Sequence, residues 1–138
     1  MNKRKIFSTT VNVLVNHLNY GNHLGYDSLL SILQEARLRW LKTIKHGISE
    51  INIDDNIGWL VKDLHLTYEA EAHHGDELLI DLFISETTRT SFILEYDVTN
   101  QTSKKPLCHA TTNLVCFNFE RSKVAQIPLC LTTAFEKE

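Results

Sequence analysis

A short glycine-containing stretch directly before a long helical pattern holds the residues of this chain that are best placed for chemistry. In the sequence HLNYGNHLGYD, residues 17–27, Gly21 and Gly25 flank residues 22–24. Glycine lets the backbone turn tightly and approach a ligand closely. The first N–H groups of a helix have no partner within the helix, so such a place suits an anion or a carbonyl oxygen that is to be polarised. The same glycines also fit an ordinary strand-to-helix turn.

The spacing of apolar residues after this stretch predicts one long helix over about residues 28–44. Its apolar stripe consists of Leu29, Ile32, Leu33, Ala36, Trp40 and Ile44. Asp27 is expected to cap the first N–H groups, where its charge suits the positive end of the helix dipole. Residues 45–47, Lys-His-Gly, are expected to end the helix. Glu35 lies off the apolar stripe.

The rest of the chain is dominated by the alternation of apolar and polar residues that is typical of half-buried strands. Strand-like segments cover residues 4–16, 59–72, 75–88, 89–100 and 105–120. Short polar connections predict hairpins between antiparallel neighbours, and the half-apolar pattern predicts a sheet with one covered face. The long helix is the available cover. We therefore expect an α+β domain in which a curved, antiparallel five-stranded sheet wraps one long central helix.

The composition fits a single domain over residues 1–138, of which 43% are hydrophobic. A formal net charge of −3 argues against a nucleic-acid partner. No apolar run reaches the roughly 18 residues of a membrane helix, so no membrane partner and a cytoplasmic location are expected. Neither the three cysteines nor the histidines have metal-ligand spacing, so no metal is expected. The open edges of a five-stranded sheet predict a homo-oligomer, a homodimer or a homotetramer.

The order of these elements and three sequence motifs resemble the hotdog-fold acyl-CoA thioesterases, the 4-hydroxybenzoyl-CoA thioesterase superfamily. The motifs are HLNYGNHLGYDSLLSILQEAR at residues 17–37, YEAEAHHGDELLI at residues 68–80 and CHATTNLVCF at residues 108–117. The likeness spans roughly residues 5–120. It implies a single thioesterase-like hotdog domain.

The resemblance implies hydrolysis of the thioester between an acyl group and coenzyme A. In such enzymes a carboxylate near the turn attacks the carbonyl or activates water, and a backbone N–H at the helix start polarises the thioester oxygen. Counted back from Glu-Ala-Arg at residues 35–37, the usual aspartate position is Asn19, and the polarising N–H belongs to Gly25 or Tyr26. An asparagine amide is not basic at neutral pH, so Asn19 can only orient water or the substrate.

The catalytic base is therefore expected elsewhere, and the candidates are Asp27, Glu35, His23 and His17. Asp27 also fits the role of helix cap, and His23 also fits a structural turn residue. Glu35 fits a solvent-exposed position, or a site shared between subunits in which it meets Asn19 of the other chain.

The resemblance also implies an apolar channel for the acyl group and cations for the coenzyme A phosphates. Channel candidates are Leu24, Tyr26 and Trp59. Phosphate-binding candidates are Lys104, Lys105, Arg121 and Lys123, which also fit plain solvated side chains. Coenzyme A is part of the substrate, so no separate cofactor is expected. The alternative function is that of a non-catalytic hotdog protein that binds acyl-CoA or an acyl carrier protein.

Overall fold

The computed structural model describes residues 3–44 and 49–136. The strands are β1 Arg4–Asn12, β2 Ile57–Tyr68, β3 Glu77–Thr87, β4 Ser91–Asn100, β5 Lys105–Asn118 and the short β6 Lys123–Val124. The helices are α1 Tyr26–Ile44 and α2 Leu129–Phe135, and a 3-10 turn covers Val15–His17. The predicted α+β class, with an antiparallel sheet and one long helix, is confirmed. No helix in the described ranges has both the length and the apolar character needed to cross a membrane.

The order of the strands in the sheet is β1-β3-β4-β5-β2, with β6 added beside β5, and every pair is antiparallel. The prediction of a hairpin between β2 and β3 is wrong. β2 pairs with β5 at one edge, whereas β3 lies between β1 and β4. Alternation identifies a strand but not its partner, and residues 69–76 carry the chain from one part of the sheet to the other.

The core follows the predicted alternation of apolar and polar residues along the strands. Each buried residue of β3 and β4 is followed by a less buried neighbour. The buried hydrophobic residues are Leu78, Ile80, Leu82, Ile84, Phe92, Leu94, Tyr96 and Val98, and the polar Asn100 at the end of β4 is buried as well. The apolar stripe of α1 is buried as well, from Leu29 to Leu41. The C-terminal tail forms α2, a second cover, whose Phe135 ring lies 6.2 Å from the Trp40 ring.

The first turn of α1 differs from the sequence expectation for Asp27. The helix begins at Tyr26, and the Gly25 carbonyl accepts its first hydrogen bond, from the Leu29 N–H at 2.9 Å. Gly25 therefore occupies the cap position, so the prediction that Asp27 is the cap is wrong. Asp27 stays in the first turn, where a carboxylate suits the positive end of the dipole. The expected helix end at residues 45–47 lies outside the described residues.

A buried ion pair joins the middle of α1 to the segment before β2. Arg37 Nε lies 2.6 Å from Glu50 Oε2, and Arg37 Nη1 donates to the Tyr96 hydroxyl at 3.2 Å. The Trp59 indole N–H also donates to Glu50. Burial lowers the pKa of Arg37, but the hydrogen bond to Glu50 and the nearby negative charge raise it by more, so the net shift is upward. Arg37 therefore stays positively charged, and the carboxylate of Glu50 supplies the counter-charge.

Replacing Glu50 tests this pair. We expect Glu50→Gln to lower the free energy of unfolding by about 3 kcal/mol, because it leaves the buried Arg37 cation without its counter-charge. Glu35→Gln is the matched control, since Glu35 pairs with Arg39 at 2.8 Å in an exposed i,i+4 contact, and we expect less than about 0.5 kcal/mol there. Urea unfolding of both variants measures the difference. Equal losses would contradict the assigned role of Glu50.

Candidate active site at the start of the long helix

The stretch before α1 closes on itself as a small hairpin. The Gly25 N–H donates to the His17 carbonyl at 3.0 Å, and the Asn19 N–H donates to the His23 carbonyl at 2.9 Å. Asn22, at the tip, has a φ of 64°, in the left-handed region that asparagine tolerates better than most residues. The turn formed by residues 17–25 is therefore held by its own backbone hydrogen bonds. We call this segment the site turn.

Two further hydrogen bonds hold the site turn against the sheet. The Leu24 N–H donates to the Ala72 carbonyl at 2.8 Å, and the Tyr68 hydroxyl donates to the Leu24 carbonyl at 3.0 Å. Burial, together with Cys108 and Glu71 nearby, raises the pKa of Tyr68, which keeps the hydroxyl protonated as a donor. Nothing in the sequence marks Tyr68 for this role except that it is an aromatic residue near the end of a predicted strand.

The helix start offers one of the two expected polarising groups. The Gly25 N–H is already paired with His17, so it has no capacity for a substrate. The N–H of Tyr26 has no hydrogen-bond partner among the described residues, and it lies at the positive end of α1, as the first residue of the helix does. The Tyr26 side chain is 70% exposed. The start of α1 therefore lies at the protein surface.

The side chain of Asn19 is held next to Gly25, the residue that precedes this donor. Its Oδ1 accepts from the Gly21 N–H at 3.0 Å and from the His23 N–H at 3.3 Å. Its Cβ lies 3.7 Å from the position that a Cβ at Gly25 would take. Since the amide oxygen is held by the turn, the NH₂ group is the free end, and no described residue accepts a hydrogen bond from it. The chemistry open to Asn19 is donation, which agrees with the expectation that it is not a base.

Asp27 is the candidate carboxylate closest to the helix start. Its Oδ1 lies 2.6 Å from the position of a Cβ at Gly25, so the carboxylate folds back toward Asn19. His23 Nδ1 instead lies 3.4 Å from Glu71 Oε1, a residue of the chain connection between β2 and β3. Of the candidate bases, Asp27 is therefore the one that the structure places against the N-terminal cap of α1.

Glu35 faces a separate groove of about 430 Å³. The groove is lined by Val11, Leu14, His17, Ser31, Ile32, Glu35 and Arg39. The His17 Nδ1 accepts from the Leu14 N–H at 2.9 Å, so the ring nitrogen available to a ligand is Nε2. Glu35 follows Asp27 by two helical turns, about 12 Å along the axis. Within one chain, Glu35 and Asp27 therefore cannot serve the same carbonyl.

The residues expected to hold the substrate are dispersed. Leu24 is buried, and Trp59 is 4% exposed, with its ring 6.0 Å from that of Trp40 and parallel to it. The structure thus gives Trp59 a packing role in place of the expected channel contact. Its own strand explains this: Trp59 lies near the start of β2, whereas Tyr68, at the end of β2, contacts the site turn.

The expected phosphate-binding residues divide into two pairs at opposite ends of β5. Lys104 directly precedes β5 and Lys105 begins it, whereas Arg121 lies between β5 and β6 and Lys123 begins β6. β5 has 14 residues, which corresponds to roughly 45 Å. Only the first pair shares an end with the site turn, because Tyr68 is paired with Cys108 near the start of β5. One coenzyme A molecule therefore cannot contact all four residues of one chain.

Comparison with known structures supports the architecture. A crystal structure of a 1,4-dihydroxy-2-naphthoyl-CoA thioesterase from Synechocystis superposes with a TM-score of 0.83 at 24% identity, covering 97% of this chain and 96% of that chain. A gentisyl-coenzyme A thioesterase superposes with a TM-score of 0.80 at 23% identity, covering 94% and 99% of the two chains. At this identity the likeness shows the fold, and the predicted hotdog architecture is confirmed.

Comparison of sequences leads to the same group of proteins. A 1,4-dihydroxy-2-naphthoyl-CoA hydrolase of Synechocystis sp. is 26% identical over 109 residues, 79% of each chain. The model of the thioesterase-like superfamily matches residues 13–135, which include the site turn and all of α1. Because that match covers most of the chain, the protein belongs to the thioesterase-like superfamily.

Proposed function

We propose that the protein is a thioester hydrolase that converts an acyl-CoA to the free acid and coenzyme A. The observation that carries the proposal is the N–H of Tyr26 at the positive end of α1, which has no partner among the described residues, with the Asn19 side chain held next to the preceding Gly25. Membership of the thioesterase-like superfamily supports the reaction type. Two similar proteins are named for hydroxylated aromatic acyl-CoA substrates, so aromatic acyl-CoAs are the first to test.

The proposed reaction begins with the thioester carbonyl oxygen bound by the Tyr26 N–H and the Asn19 NH₂ group. As water attacks the carbonyl carbon, negative charge develops on that oxygen, and fixed donors at a helix start stabilise it. A carboxylate takes the proton of the attacking water. The carbon–sulfur bond then breaks, and the coenzyme A thiolate leaves and is protonated. Removal of one such donor typically lowers kcat by a factor of about 100 to 1,000.

We propose that the carboxylate is Glu35 of the partner subunit in a homodimer, with Asp27 as the candidate within one chain. One edge of β2 has no neighbouring strand among the described residues, and Leu60, Val61 and Leu64 on this strand are each at least 40% exposed, which supports pairing with a second copy. Two such edges can pair and bury these side chains. The groove beside Glu35 leaves room for residues from another chain.

Thiol release from a panel of short, long and aromatic acyl-CoAs tests the activity. We expect turnover by the wild type, a loss of about 100-fold in kcat for Asn19→Ala, and a loss of at least about 100-fold for Glu35→Gln. Glu86→Gln, at an exposed position near the end of β3, is the matched control and should keep wild-type activity. Unchanged turnover in both Asn19→Ala and Glu35→Gln would contradict the proposed site.

A second candidate function is binding of acyl-CoA or an acyl carrier protein without hydrolysis. The observation in its favour is that the turn has an asparagine at position 19, whose amide oxygen is already used twice within the turn. Calorimetry with the same acyl-CoA panel separates the two functions. Binding without thiol release would support the second function and exclude the first.

Mixing two inactive variants tests whether the site is shared between subunits. If Asn19 of one chain works with Glu35 of the other, a heterodimer of Asn19→Ala and Glu35→Gln chains contains one intact site and one doubly altered site. Random exchange of subunits should then restore about a quarter of wild-type activity, since half of the dimers are mixed. If subunits are shown to exchange and the mixture regains no activity, the shared site is contradicted. Asn19 and Glu35 would then act within the same chain, or Glu35 would not be part of the site.

Replacing Gly25 tests the approach of the carbonyl to the helix start. A methyl group at this position would lie 2.6 Å from Asp27 Oδ1, the movable end of an exposed side chain, so the fold should tolerate Gly25→Ala. The same methyl group would fill the space between Asn19 and Asp27. We expect kcat/KM to fall by a factor on the order of 10 to 100, with little change in the thermal unfolding temperature. Full activity in this variant would show that the substrate does not enter there.

A further inference from the structure

We propose that His23, Glu71 and His73 form a binding site for a divalent transition-metal ion, with Zn²⁺ as the best match. One ligand atom of each side chain lies within 4.8 Å of the others. His23 belongs to the site turn, whereas Glu71 and His73 belong to the connection between β2 and β3. The proposed site does not depend on thioester hydrolysis, because it follows from the positions and ligand chemistry of these three side chains.

The backbone brings the three side chains together. The hydrogen bond of 2.8 Å from the Leu24 N–H to the Ala72 carbonyl holds the two segments side by side. Leu24 and Ala72 both have buried side chains. Since Ala72 is turned into the core, Glu71 and His73 on either side of it are exposed, and His23 next to Leu24 is partly exposed. The convergence therefore follows from the fold rather than from a chance arrangement of flexible side chains.

The ligand atoms are free to bind an ion. His23 Nδ1 and Glu71 Oε1 are 3.4 Å apart, and the rings of His23 and His73 meet edge to face with centroids 5.1 Å apart. The His73 backbone N–H donates to Asp76 Oδ2 at 2.9 Å, whereas its imidazole forms no hydrogen bond or ion pair with any described residue. The side chain of His23 is 37% exposed and that of Glu71 is 64% exposed. An ion can thus reach the three ligands from solvent.

The chemistry of the ligand set favours a transition metal. Two imidazoles and one carboxylate, with water in the fourth position, are a ligand set of tetrahedral Zn²⁺, whereas Mg²⁺ and Ca²⁺ prefer oxygen ligands. With Zn–N and Zn–O distances of about 2.0–2.1 Å, neighbouring ligand atoms lie about 3.3 Å apart. The observed separations are within 4.8 Å, so small side-chain rotations complete the geometry.

The cysteines do not offer a better site. Burial raises the pKa of Cys108 and of Cys116 to about 12 in each case, and only a deprotonated thiol binds metal well. A bound ion would add a further link between the site turn and the connection, beside the hydrogen bond from Leu24 to Ala72 and the contact of His23 with Glu71. Binding to the folded state alone raises stability as the metal concentration rises.

Calorimetric titration of the tag-free, chelator-treated protein with Zn²⁺ tests the proposal. We expect one ion per chain in the wild type, with the affinity lowered at least about 10-fold in His73→Ala and in Glu71→Gln. His74→Ala, which removes the neighbouring exposed histidine, is the matched control and should bind like the wild type. Zn²⁺ should raise the thermal unfolding temperature of the wild type and of His74→Ala by more than that of His73→Ala.

Several results would overturn the proposal. These are absence of Zn²⁺ binding in the wild type at millimolar concentration, equal affinities of His73→Ala and His74→Ala, and binding that survives both His73→Ala and Glu71→Gln. Substitution with Co²⁺ supplies an independent readout, since a cobalt–thiolate absorption band would place the ion on a cysteine instead. Both altered side chains are exposed, so the metal-free variants should unfold at the wild-type temperature, which checks that the loss is local.

Discussion

Two hydrogen bonds to the backbone of Leu24 fix the part of the molecule on which the candidate site depends. The N–H donates to Ala72, and the carbonyl accepts from the Tyr68 hydroxyl. A loop joining a strand to a helix is normally free to move, but these bonds set where the site turn lies relative to the sheet. They also fix the direction from which α1 begins, and hence the orientation of the Tyr26 N–H. The same contact places His23 beside Glu71 and His73.

The site combines a stable helix body with an open helix start. The middle of α1 is held by its buried apolar face and by the Arg37–Glu50 ion pair. In the first turn, in contrast, Tyr26 is exposed, and its N–H has no hydrogen-bond partner among the described residues. A donor held rigidly where charge develops needs no reorganisation during the reaction. In the proposed reaction, the packed part of the helix holds its first turn in place, and the Tyr26 N–H in that turn binds the substrate carbonyl.

The sequence predicts the elements that depend on local periodicity. The alternation in β3 and β4 identified the buried residues Leu78 to Ile84 and Phe92 to Val98, and the 3.6-residue spacing identified the buried face of α1. The pairing of β2 with β5 could not be predicted, because alternation does not specify a partner. The cap of α1 was also missed, since Gly25 satisfies the geometry that an aspartate usually supplies.

The candidate site was also predicted only in part, because sequence patterns report on residues that are close along the chain. Asn19, the helix start and Asp27 are close in sequence, so local reasoning brought them together. Tyr68 and Glu50 act through contacts with distant residues, and nothing in their own surroundings in the sequence marks those roles. The grouping of His23 with Glu71 and His73 depends on a single contact between two remote segments, which ligand spacing along the chain does not reveal.

The central claim is that the Tyr26 N–H binds the acyl carbonyl. The most direct measurement is a crystal structure of the protein with a non-hydrolysable acyl-CoA analogue in which a methylene group replaces the sulfur. We expect the carbonyl oxygen to lie about 3 Å from the Tyr26 nitrogen and to accept a second hydrogen bond from the Asn19 NH₂ group. An analogue bound with its carbonyl away from the helix start, and with the site turn filled by side chains, would contradict the account.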